Sequence, residues 1–532
     1  MNRVKVLDCT LRDGGYVNNW NFGLDNIKKI MFNLADANID IIECGFLTNN
    51  EEYLIDYTKF NKVKDMTKFL PKDRQNIDMV CMINYGEYNL QDIPKYDGSS
   101  INGIRVAFHK NDLEGALKFC KGISEKGYKL FMQPMVSVSY TDYEFIKLIE
   151  KANKIEPYAF YIVDSFGVMK KRDLMRLYYL VDHNLSEDIY IGFHSHNNIQ
   201  LSYSNAQSLV DLKTERKLII DSSVFGMGRG AGNLNTELFI EYLNDINGWN
   251  YKSKPLLQII DKVLNNVYLT NYWGYSLPHY ISARHNCHPN YASYLTDKDT
   301  LTAEDISNIL SAIAEEKKSS FNKEYIESLY FNYQSHKIND SFSYDKLRAI
   351  FKGKTVIAIA PGSSIGIDSD DIVYEANKSD AITVSVNFKP DKLVSDYIFV
   401  SNLRRYEELK DKLKTNLILT SNIEVHSNTE YVVNYIDLIN EIQEVKDNAG
   451  LMLIKLMINL EVKSIKLAGF DGYSYDSYAN YAEKDMIFVK KNYLIDALNK
   501  GMGKMLNEFS KQVKIEFITK TKYFEQNYKG ID

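Results

Sequence analysis

Eight short runs rich in β-branched and aromatic residues alternate with amphipathic segments between Val4 and Gly226, and this alternation constrains the fold more than any other feature. Eight strands, each followed by a helix or a loop, within ~250 residues are what a (β/α)₈ barrel requires. A doubly wound open sheet shares the alternation, so the count alone leaves both architectures open. The predicted strands are VKVLDCTL, DIIECGF, DMVCMI, GIRVAF, KLFMQPMV, AFYIVDS, IYIGFHSH and KLIIDSSVFG.

The same patterns divide the chain into three parts. We predict a TIM barrel over residues 1–270 and a helical extension over residues 271–345. In the extension, Thr302 is the expected N-cap of LTAEDISNILSAIAEE, because acidic residues follow it in the first turn. Strand, turn and helix then recur over residues 346–532, from KTVIAIAPGSSIG to SIKLAGFDG. This second alternation predicts a separate Rossmann-like domain and an α/β protein overall.

Composition excludes several classes of protein. Of 532 residues, 45% are hydrophobic and 25% are charged, as in soluble globular proteins. The net charge of −6 gives no broad attraction to nucleic acid, and the most apolar run, LMLIKLMINL, is too short to span a bilayer. MNRVKVLDCT lacks the apolar stretch of a signal peptide, and the five cysteines form no zinc spacing. We therefore expect a cytoplasmic protein with reduced thiols, and further expect a homo-oligomer.

Two of the nine histidines stand two residues apart at the end of a predicted strand, in IYIGFHSHNN. Because successive strand side chains point to opposite faces, His194 and His196 share one face and Ser195 takes the other. The carboxyl end of a barrel strand is where barrel enzymes hold their active sites. Two imidazoles and one anionic ligand suit a divalent metal. A hydrogen-bonded structural pair of histidines is the alternative.

The first and eighth predicted strands supply further polar groups at this end of the barrel. VLDCTLRDGGY places Arg12 and Asp13 before two glycines that allow a tight turn. Asp13 offers the carboxylate that the histidines need, and Arg12 offers a cation for substrate oxygens. GMGRGAGN resembles a dinucleotide fingerprint, but Ala231 occupies its last glycine position. We interpret this run as a tight loop that presents Asn233 and backbone amides to the barrel mouth.

The motifs D-x-T-L-R-D-G, H-S-H-N and G-x-G-x-G-A-G-N, in this order, resemble those of the DRE-TIM metallolyase (HMGL-like) superfamily of carbon–carbon lyases and condensing enzymes. The resemblance covers roughly residues 3–295 and is closest to 4-hydroxy-2-oxovalerate aldolase. It implies that Asp13, His194 and His196 are metal ligands, with Asn233 as a fourth. It also implies that Arg12 stabilises an enolate oxygen.

The sequence departs from the aldolase pattern at one catalytic position. The aldolase has a histidine, proposed as the general base, three residues after the metal aspartate, and this chain has Tyr16 there. A tyrosine is a weaker base at neutral pH unless the metal or Arg12 lowers its pKa. Tyr16 is therefore the catalytic candidate, and the aldehyde substrate stays open. The cysteine-bearing loop of hydroxymethylglutaryl-CoA lyase is absent from GMGRGAGN, which argues against that activity.

Two more acidic residues stand at the ends of predicted strands, Glu43 in IIECGF and Asp164 in YIVDSFG. Each could orient substrate or hold an imidazole, and each could instead fill the barrel with a hydrogen-bonded polar layer. Arg105, in IRVAFH, is expected to be structural.

Together these features predict a divalent-metal-dependent aldolase that acts on a 4-hydroxy-2-oxo acid through a pyruvate enolate. Its small-molecule partners would be a 2-oxo acid and an aldehyde. Mn²⁺ or Mg²⁺ is the expected cation, with Zn²⁺ or Co²⁺ as alternatives. A Claisen-type synthase that uses acyl-CoA, and a barrel that only scaffolds a glycosyltransferase-like C-terminal domain, are the competing hypotheses.

The C-terminal region has its own candidate site. APGSSIGID places Gly362 and Ser363 directly after a predicted strand, where backbone amides can hold a phosphate, although no G-K-[ST] of a P-loop follows. Arg404 and Arg405 follow another strand and could contact a diphosphate. The region resembles motility-accessory-factor and hydroxymethylpterin diphosphokinase-like Rossmann domains. That resemblance implies a nucleotide or nucleotide-sugar ligand near Gly362, Ser363 and Asp471, and a role in polysaccharide biosynthesis; a structural domain is the alternative.

Overall fold

The computed structural model describes residues 4–71, 76–391, 393–410, 416–424, 431–483 and 492–524. The chain divides into two compact units. The first consists of Met1–Ala292 with Glu315–Phe321, and the second of Ser293–Ala314 with Asn322–Asp532. The finer division of the chain at residues 270 and 345 stays a prediction.

The described part of the first unit contains a closed barrel of eight parallel strands. The first strand pairs with its neighbour in sequence at Leu7↔Ile41 and with the last barrel strand at Val4↔Leu218, which closes the ring. This pairing excludes the open sheet, and each of the eight predicted strands is present. A two-residue strand, β3, adds to the end of β2. The strands are β1 (Val4–Asp8), β2 (Ile41–Leu47), β3 (Lys59–Phe60), β4 (Asp78–Asn84), β5 (Gly103–Phe108), β6 (Lys129–Pro134), β7 (Ala159–Asp164), β8 (Tyr190–Ser195) and β9 (Leu218–Ser222).

Burial on both faces explains why the barrel strands are continuous apolar runs. Alternate residues separate into two clusters: Val4 and Val6 pack outward with the helices, whereas Leu7 and Cys9 pack with Tyr161 inside the barrel. Parallel strands covered by helices show this pattern, because neither face meets water. The polar residues on the inward face are therefore forced to pair with each other.

Helices follow most of the barrel strands, and local sequence sets their limits. The second helix buries Ile27, Ile30, Met31 and Leu34, an i, i+3, i+4, i+7 stripe. The fourth begins after Thr141, whose hydroxyl accepts from the Glu144 amide in a capping box. The helices are α1 (Gly15–Asn18), α2 (Leu24–Asp36), α3 (Leu113–Glu125), α4 (Asp142–Ile155), α5 (Lys171–Asn184), α6 (Ser202–Val210), α7 (Thr236–Asn247), α8 (Ser253–Ile259), α9 (Asn265–Thr270), α10 (Leu277–Arg284) and α11 (Pro289–Asp297).

The described part of the second unit contains a parallel sheet of seven strands. Their order is β14-β13-β12-β11-β10-β15-β16, so the direction of winding reverses between β10 and β15. The strands are β10 (Thr355–Ile359), β11 (Ile382–Val386), β12 (Tyr397–Val400), β13 (Asn416–Thr420), β14 (Tyr431–Val433), β15 (Ser464–Ala468) and β16 (Lys514–Phe517). An α/β architecture with a second parallel sheet is thus confirmed.

Helices of this unit include one whose start was predicted. The Thr302 hydroxyl accepts from the Asp305 amide and caps the helix, as the sequence indicates. No helix among the described residues combines the length and the apolar character needed to cross a membrane. The helices are α12 (Ala303–Ser311), α13 (Lys323–Gln334), α14 (Ser341–Phe351), α15 (Ser364–Ile367), α16 (Ser369–Ser379), α17 (Leu403–Leu409), α18 (Tyr435–Leu438), α19 (Ala449–Asn459) and α20 (Asn492–Ser510).

Candidate functional site

Asp13, His194 and His196 meet at the carboxyl ends of β1 and β8. One ligand atom of each residue lies within 4.8 Å of the others. His194 Nε2 is 3.8 Å from Asp13 Oδ2, and His196 Nδ1 is 3.9 Å from Asp13 Oδ1. All three side chains are buried. These separations are close to those expected of atoms that share one cation through bonds of about 2.0–2.2 Å.

Several buried polar atoms at this end of the barrel have no hydrogen-bond partner among the described residues, and two of them could face a cation. They are His196 Nδ1 and Asn233 Oδ1. The Asn233 amide nitrogen donates to Asp13 Oδ1 at 3.1 Å and to the Met227 carbonyl at 3.3 Å. An unpaired buried acceptor costs roughly 1–3 kcal/mol, which a bound cation would offset. A carboxylate, two imidazoles and an amide oxygen therefore fit a divalent metal.

The protonation states of the cluster also suit a cation. Burial acts to raise the pKa of Asp13, but the neighbouring Arg12 guanidinium and the two imidazoles outweigh it and hold that pKa well below its usual range. Burial lowers the pKa of His196 to about 3, partly opposed by Asp13. At neutral pH the site therefore presents an anionic carboxylate and a neutral imidazole, the forms that bind metal without losing a proton.

His194 is oriented by a carboxylate that the sequence interpretation missed. Its Nδ1 lies 3.0 Å from Asp221 Oδ2, which leaves Nε2 to face Asp13. Asp221 also accepts from the Tyr161 hydroxyl at 3.0 Å and from Arg105 Nη2. When a histidine binds a metal through one ring nitrogen, a carboxylate that accepts from the other nitrogen fixes the tautomer and the orientation of the ring. An acidic residue inside the apolar run KLIIDSS was the available signal.

Arg12 is fixed beside the cluster, and one of its three guanidinium nitrogen atoms has no partner among the described residues. Its Nε donates to Glu43 Oε2 at 2.8 Å and its Nη1 donates to Asp13. Glu43 also accepts from Arg105 Nη1 at 2.8 Å, so this carboxylate joins two arginines. Among the described residues it makes no hydrogen bond to an imidazole. The Arg12 Nη2 atom is buried and unpaired among the described residues. That nitrogen is the group that Arg12 offers to a ligand oxygen.

Asp164 holds a loop at the end of β7. Its carboxylate accepts from the backbone amides of Val168 and Met169, both at 3.0 Å. Burial raises the pKa of Asp164 to about 6, although these amide bonds oppose the rise. Its carbonyl accepts from the His196 amide at 3.2 Å. Asp164 thus supports the position of His196 through the backbone.

Tyr16 lies at the edge of the barrel mouth on α1. Its ring packs edge-on against Trp20, with the centroids 4.6 Å apart, and the residue stays 38% exposed. Burial of its hydroxyl group raises the pKa of Tyr16, and the Arg229 guanidinium opposes that rise. The phenol is therefore protonated at neutral pH, which suits a proton relay better than a permanent base.

The loop GMGRGAGN binds the cluster through its backbone. The Arg229 amide donates to Asp13 Oδ1 at 3.1 Å, and the Ala231 amide donates to Asn198 Oδ1 at 2.8 Å. Gly228 allows this approach: a Cβ there would lie 2.8 Å from Asp13 Oδ1 and 2.1 Å from Asn233 Nδ2. The sequence interpretation foresaw the backbone role but missed the Arg229 and Asn198 side chains.

In the second unit, the turn after β10 lies at the reversal of winding, where open parallel sheets bind ligands. A carboxylate already occupies the donors of this turn. Asp471 Oδ2 accepts from the Ser364 amide at 2.8 Å and contacts Ser363 Oγ at 3.4 Å. A Cβ on Gly362 would lie 2.7 Å from Asp471 Oδ2. These contacts bring Gly362, Ser363 and Asp471 together, and they place the Asp471 carboxylate where a phosphate would bind the turn.

The two arginines predicted for a diphosphate also have protein partners. Arg404 Nη1 lies 3.4 Å from Asp299 Oδ1, and Arg405 Nη1 donates to Glu408 Oε2 at 2.8 Å. Arg405 is buried and Arg404 is half-buried. A diphosphate would have to compete with these carboxylates, so the nucleotide site stays a prediction.

Comparisons with known proteins concern the N-terminal half of the chain. A family model described as HMGL-like matches residues 98–263. The 4-hydroxy-2-oxovalerate aldolase of Shewanella halifaxensis is 28% identical over 251 residues, which are 45% of this chain and 70% of the relative. The oxaloacetate decarboxylase of Mycobacterium tuberculosis is 23% identical over 251 residues, 45% of this chain and 69% of the relative. The solved N-terminal domain of a proposed aldolase from Bacteroides vulgatus is 26% identical, with a TM-score of 0.46, and the match covers 55% of this chain and 96% of that domain.

Proposed function

We propose that the N-terminal half of the chain is a metal-dependent aldolase. This half matches the HMGL-like family model over residues 98–263 and has 4-hydroxy-2-oxovalerate aldolases among its relatives. The comparisons support a metal-dependent lyase in general. The more specific proposal is cleavage of a 4-hydroxy-2-oxo acid through a pyruvate enolate. The observation that best supports it is the buried cluster of Asp13, His194 and His196 beside Arg12 Nη2, which has no partner among the described residues.

The reaction needs charge stabilisation at one oxygen and removal of one proton. A divalent cation held by Asp13, His194 and His196, with Asn233 beside them, would supply Lewis acidity to the 2-oxo group. The bond between C3 and C4 breaks, its electron pair passes to C3 to form the enolate, and C4 becomes the aldehyde. Protonation of C3 then yields pyruvate. Arg12 Nη2 donates to the oxygen on which charge develops.

The proton of the 4-hydroxyl group has to leave as the carbon–carbon bond breaks. We propose that Tyr16 relays it, since a phenol that keeps its own proton can accept one proton while it donates the other. The imidazoles of His109 and His288 are the second candidates, because their lowered pKa values keep them neutral.

The proposal extends to the identity of the metal, to the assembly of the protein and to the C-terminal unit. The carboxylate and amide oxygens of the site favour Mn²⁺ or Mg²⁺. We also propose a cytoplasmic homo-oligomer, and a C-terminal unit that binds a nucleotide or nucleotide-sugar in polysaccharide biosynthesis. The position of Gly362 at the reversal of winding supports the last point, and the carboxylate of Asp471 on the same turn opposes it.

The test is release of pyruvate from 4-hydroxy-2-oxo acids by the full chain with Mn²⁺, followed with a coupled dehydrogenase. Asp13→Asn and treatment with a chelator should each lower turnover at least about 10²-fold, since each removes charge stabilisation. Asp8→Asn is the matched control: Asp8 is a buried carboxylate on β1 that hydrogen-bonds to Thr236 and the Thr10 amide. Full turnover after both treatments would contradict the proposal.

The competing hypotheses give different results in parallel assays. Release of free thiol from acetyl-CoA in the presence of a 2-oxo acid would favour a Claisen-type synthase. A folded protein without either activity would favour a scaffold. We expect neither, because a scaffold does not need Arg12, Asp13, His194 and His196 buried together.

A further inference from the structure

We propose that Arg229 binds a second carboxylate of the substrate, so that the fragment released as the aldehyde is itself acidic. The inference deepens the proposed function and rests on it for one point only, that the metal cluster holds the 2-oxo acid end of the substrate. It makes Arg229 a specificity-determining residue and identifies the substrate class as a 4-hydroxy-2-oxo dicarboxylate.

Arg229 is held beside the cluster of Asp13, His194 and His196 by both its backbone and its side chain. Its backbone amide donates to Asp13 Oδ1 at 3.1 Å, and its Nη2 donates to the Ser165 carbonyl at 3.0 Å. The guanidinium carbon lies 5.5 Å from the centre of the Tyr16 ring. These contacts hold the cation at the barrel mouth, next to the metal ligands and next to the residue proposed to relay the proton.

Arg229 has no anionic partner among the described residues, in contrast to three buried arginines of the barrel. Arg12 is paired with Glu43, Arg105 with Asp221, and Arg216 with Asp182. No carboxylate of the described residues lies within 4.0 Å of the Arg229 guanidinium. A half-buried guanidinium has five N–H donors, and the Ser165 carbonyl uses one of them. The remaining donors suit a planar, bidentate anion such as a carboxylate.

The charges around the cluster indicate how acidic the ligand should be. Arg12 is balanced by Glu43 and Arg105 is balanced by Asp221, so each of these pairs is neutral. Apart from Asp164, whose carboxylate accepts from the Val168 and Met169 amides, the charges left over are the Asp13 carboxylate, the Arg229 guanidinium and a divalent cation. Together they carry about two positive charges, which a dicarboxylate neutralises and a monocarboxylate does not.

Three side chains near Arg229, those of His109, His288 and Tyr16, are neutral and suit the part of the substrate that lies away from the metal. Burial lowers the pKa values of His109 and His288, and the Arg229 guanidinium adds a smaller effect in the same direction. For Tyr16, burial raises the pKa and Arg229 opposes the rise. Burial, followed by Arg229, lowers the pKa of His288 to about 3, and its ring packs against Phe166 with the centroids 6.2 Å apart. No competing cation therefore arises from these imidazoles at neutral pH.

The first experiment measures binding without chemistry. 2-Oxoglutarate and 2-oxopentanoate lack the 4-hydroxyl group, so they cannot be cleaved, and they differ in the terminal carboxylate. Calorimetric titration of the Mn²⁺-loaded full chain should show 2-oxoglutarate binding about tenfold or more tightly. Arg229→Met should remove this preference and Arg229→Lys should keep part of it. Arg172→Met, which removes an exposed arginine of α5, is the control for net charge and should change nothing.

The second experiment measures turnover. Wild-type protein should release pyruvate from 4-hydroxy-2-oxoglutarate with a kcat/KM about tenfold or more above that for 4-hydroxy-2-oxopentanoate, and Arg229→Met should remove the difference. Equal affinities for the two analogues, or a preference that survives in folded Arg229→Met, would overturn the inference. Failure of the proposed function alone would look different: the binding preference would remain, while neither hydroxy acid would yield pyruvate.

Discussion

Replacing Asp221 by Asn tests whether the carboxylate behind His194 prepares the candidate metal site. The change keeps the size of the side chain and removes its charge. Asp221 accepts from His194 Nδ1, the Tyr161 hydroxyl and Arg105 Nη2, and all four side chains are buried. An amide has one acceptor oxygen and presents an NH₂ group to donors, so at least one of these contacts must be lost.

Two effects of different size follow from these contacts. Loss of the orienting bond to His194 should weaken Mn²⁺ binding about 10–100-fold, or about 1.4–2.7 kcal/mol. Loss of the partner of Arg105 should lower the free energy of unfolding by roughly 3 kcal/mol, the low end for a broken buried ion pair, because Glu43 still contacts Arg105. The first effect concerns the metal site and the second concerns the whole barrel.

The assay is calorimetric titration of the apo-protein with Mn²⁺, under conditions in which circular dichroism shows the variant to be folded, together with urea denaturation. Tyr161→Phe is the matched control. It removes a hydrogen bond of 3.0 Å to Asp221 and leaves the bond to His194 in place. Its unfolding free energy should fall by about 1 kcal/mol, with Mn²⁺ affinity within twofold of wild type. If folded Asp221→Asn also binds Mn²⁺ within twofold of wild type, packing alone orients His194 and the reasoning fails.

Three further predictions concern other parts of the chain. Tyr16→Phe should lower turnover about 10²-fold and leave Mn²⁺ affinity unchanged, because the relay is lost and the ligands are not; an unchanged rate would move the role to His109 or His288. Burial raises the pKa of Asp8 to about 6 from 3.8, so its contribution to stability falls as pH rises through this interval, by about 3 kcal/mol in all. Between pH 4 and pH 7, the free energy of unfolding measured by denaturation should therefore fall less for Asp8→Asn than for the wild-type protein. Equal decreases would argue against a raised pKa of Asp8. If the turn after β10 holds a diphosphate, Asp471→Asn should tighten binding of a nucleoside diphosphate to the full chain several-fold. The reason is that the Asp471 carboxylate, which accepts from the Ser364 amide, repels phosphate. Calorimetry that detects no binding to either the wild-type protein or the variant would leave the turn without a ligand.

Features that depend on residues close together in the sequence were predictable, and features that depend on residues far apart were not. Strand positions and the cap at Thr302 depend on residues within a few positions of each other, and each was predicted. The shared face of His194 and His196 follows from the two-residue period of a strand. Closure of the barrel was not predictable from the count of strands, because it depends on the pairing of Val4 with Leu218.

The sequence by itself determined that eight strands alternate with helices, that a second parallel sheet follows, and that two imidazoles and a carboxylate stand at strand ends. Each of these is encoded in local periodicity and residue type. Only the tertiary structure decided which charged groups are paired. Glu43 reaches Arg12 across 31 residues and Arg105 across 62, and Asp221 reaches Arg105 across 116. Among the described residues, Arg229 is left without a carboxylate. The physical reason is that burial makes each ion pair depend on which inward-facing side chains meet once the barrel has closed, and the spacing of charges along the chain does not record those meetings.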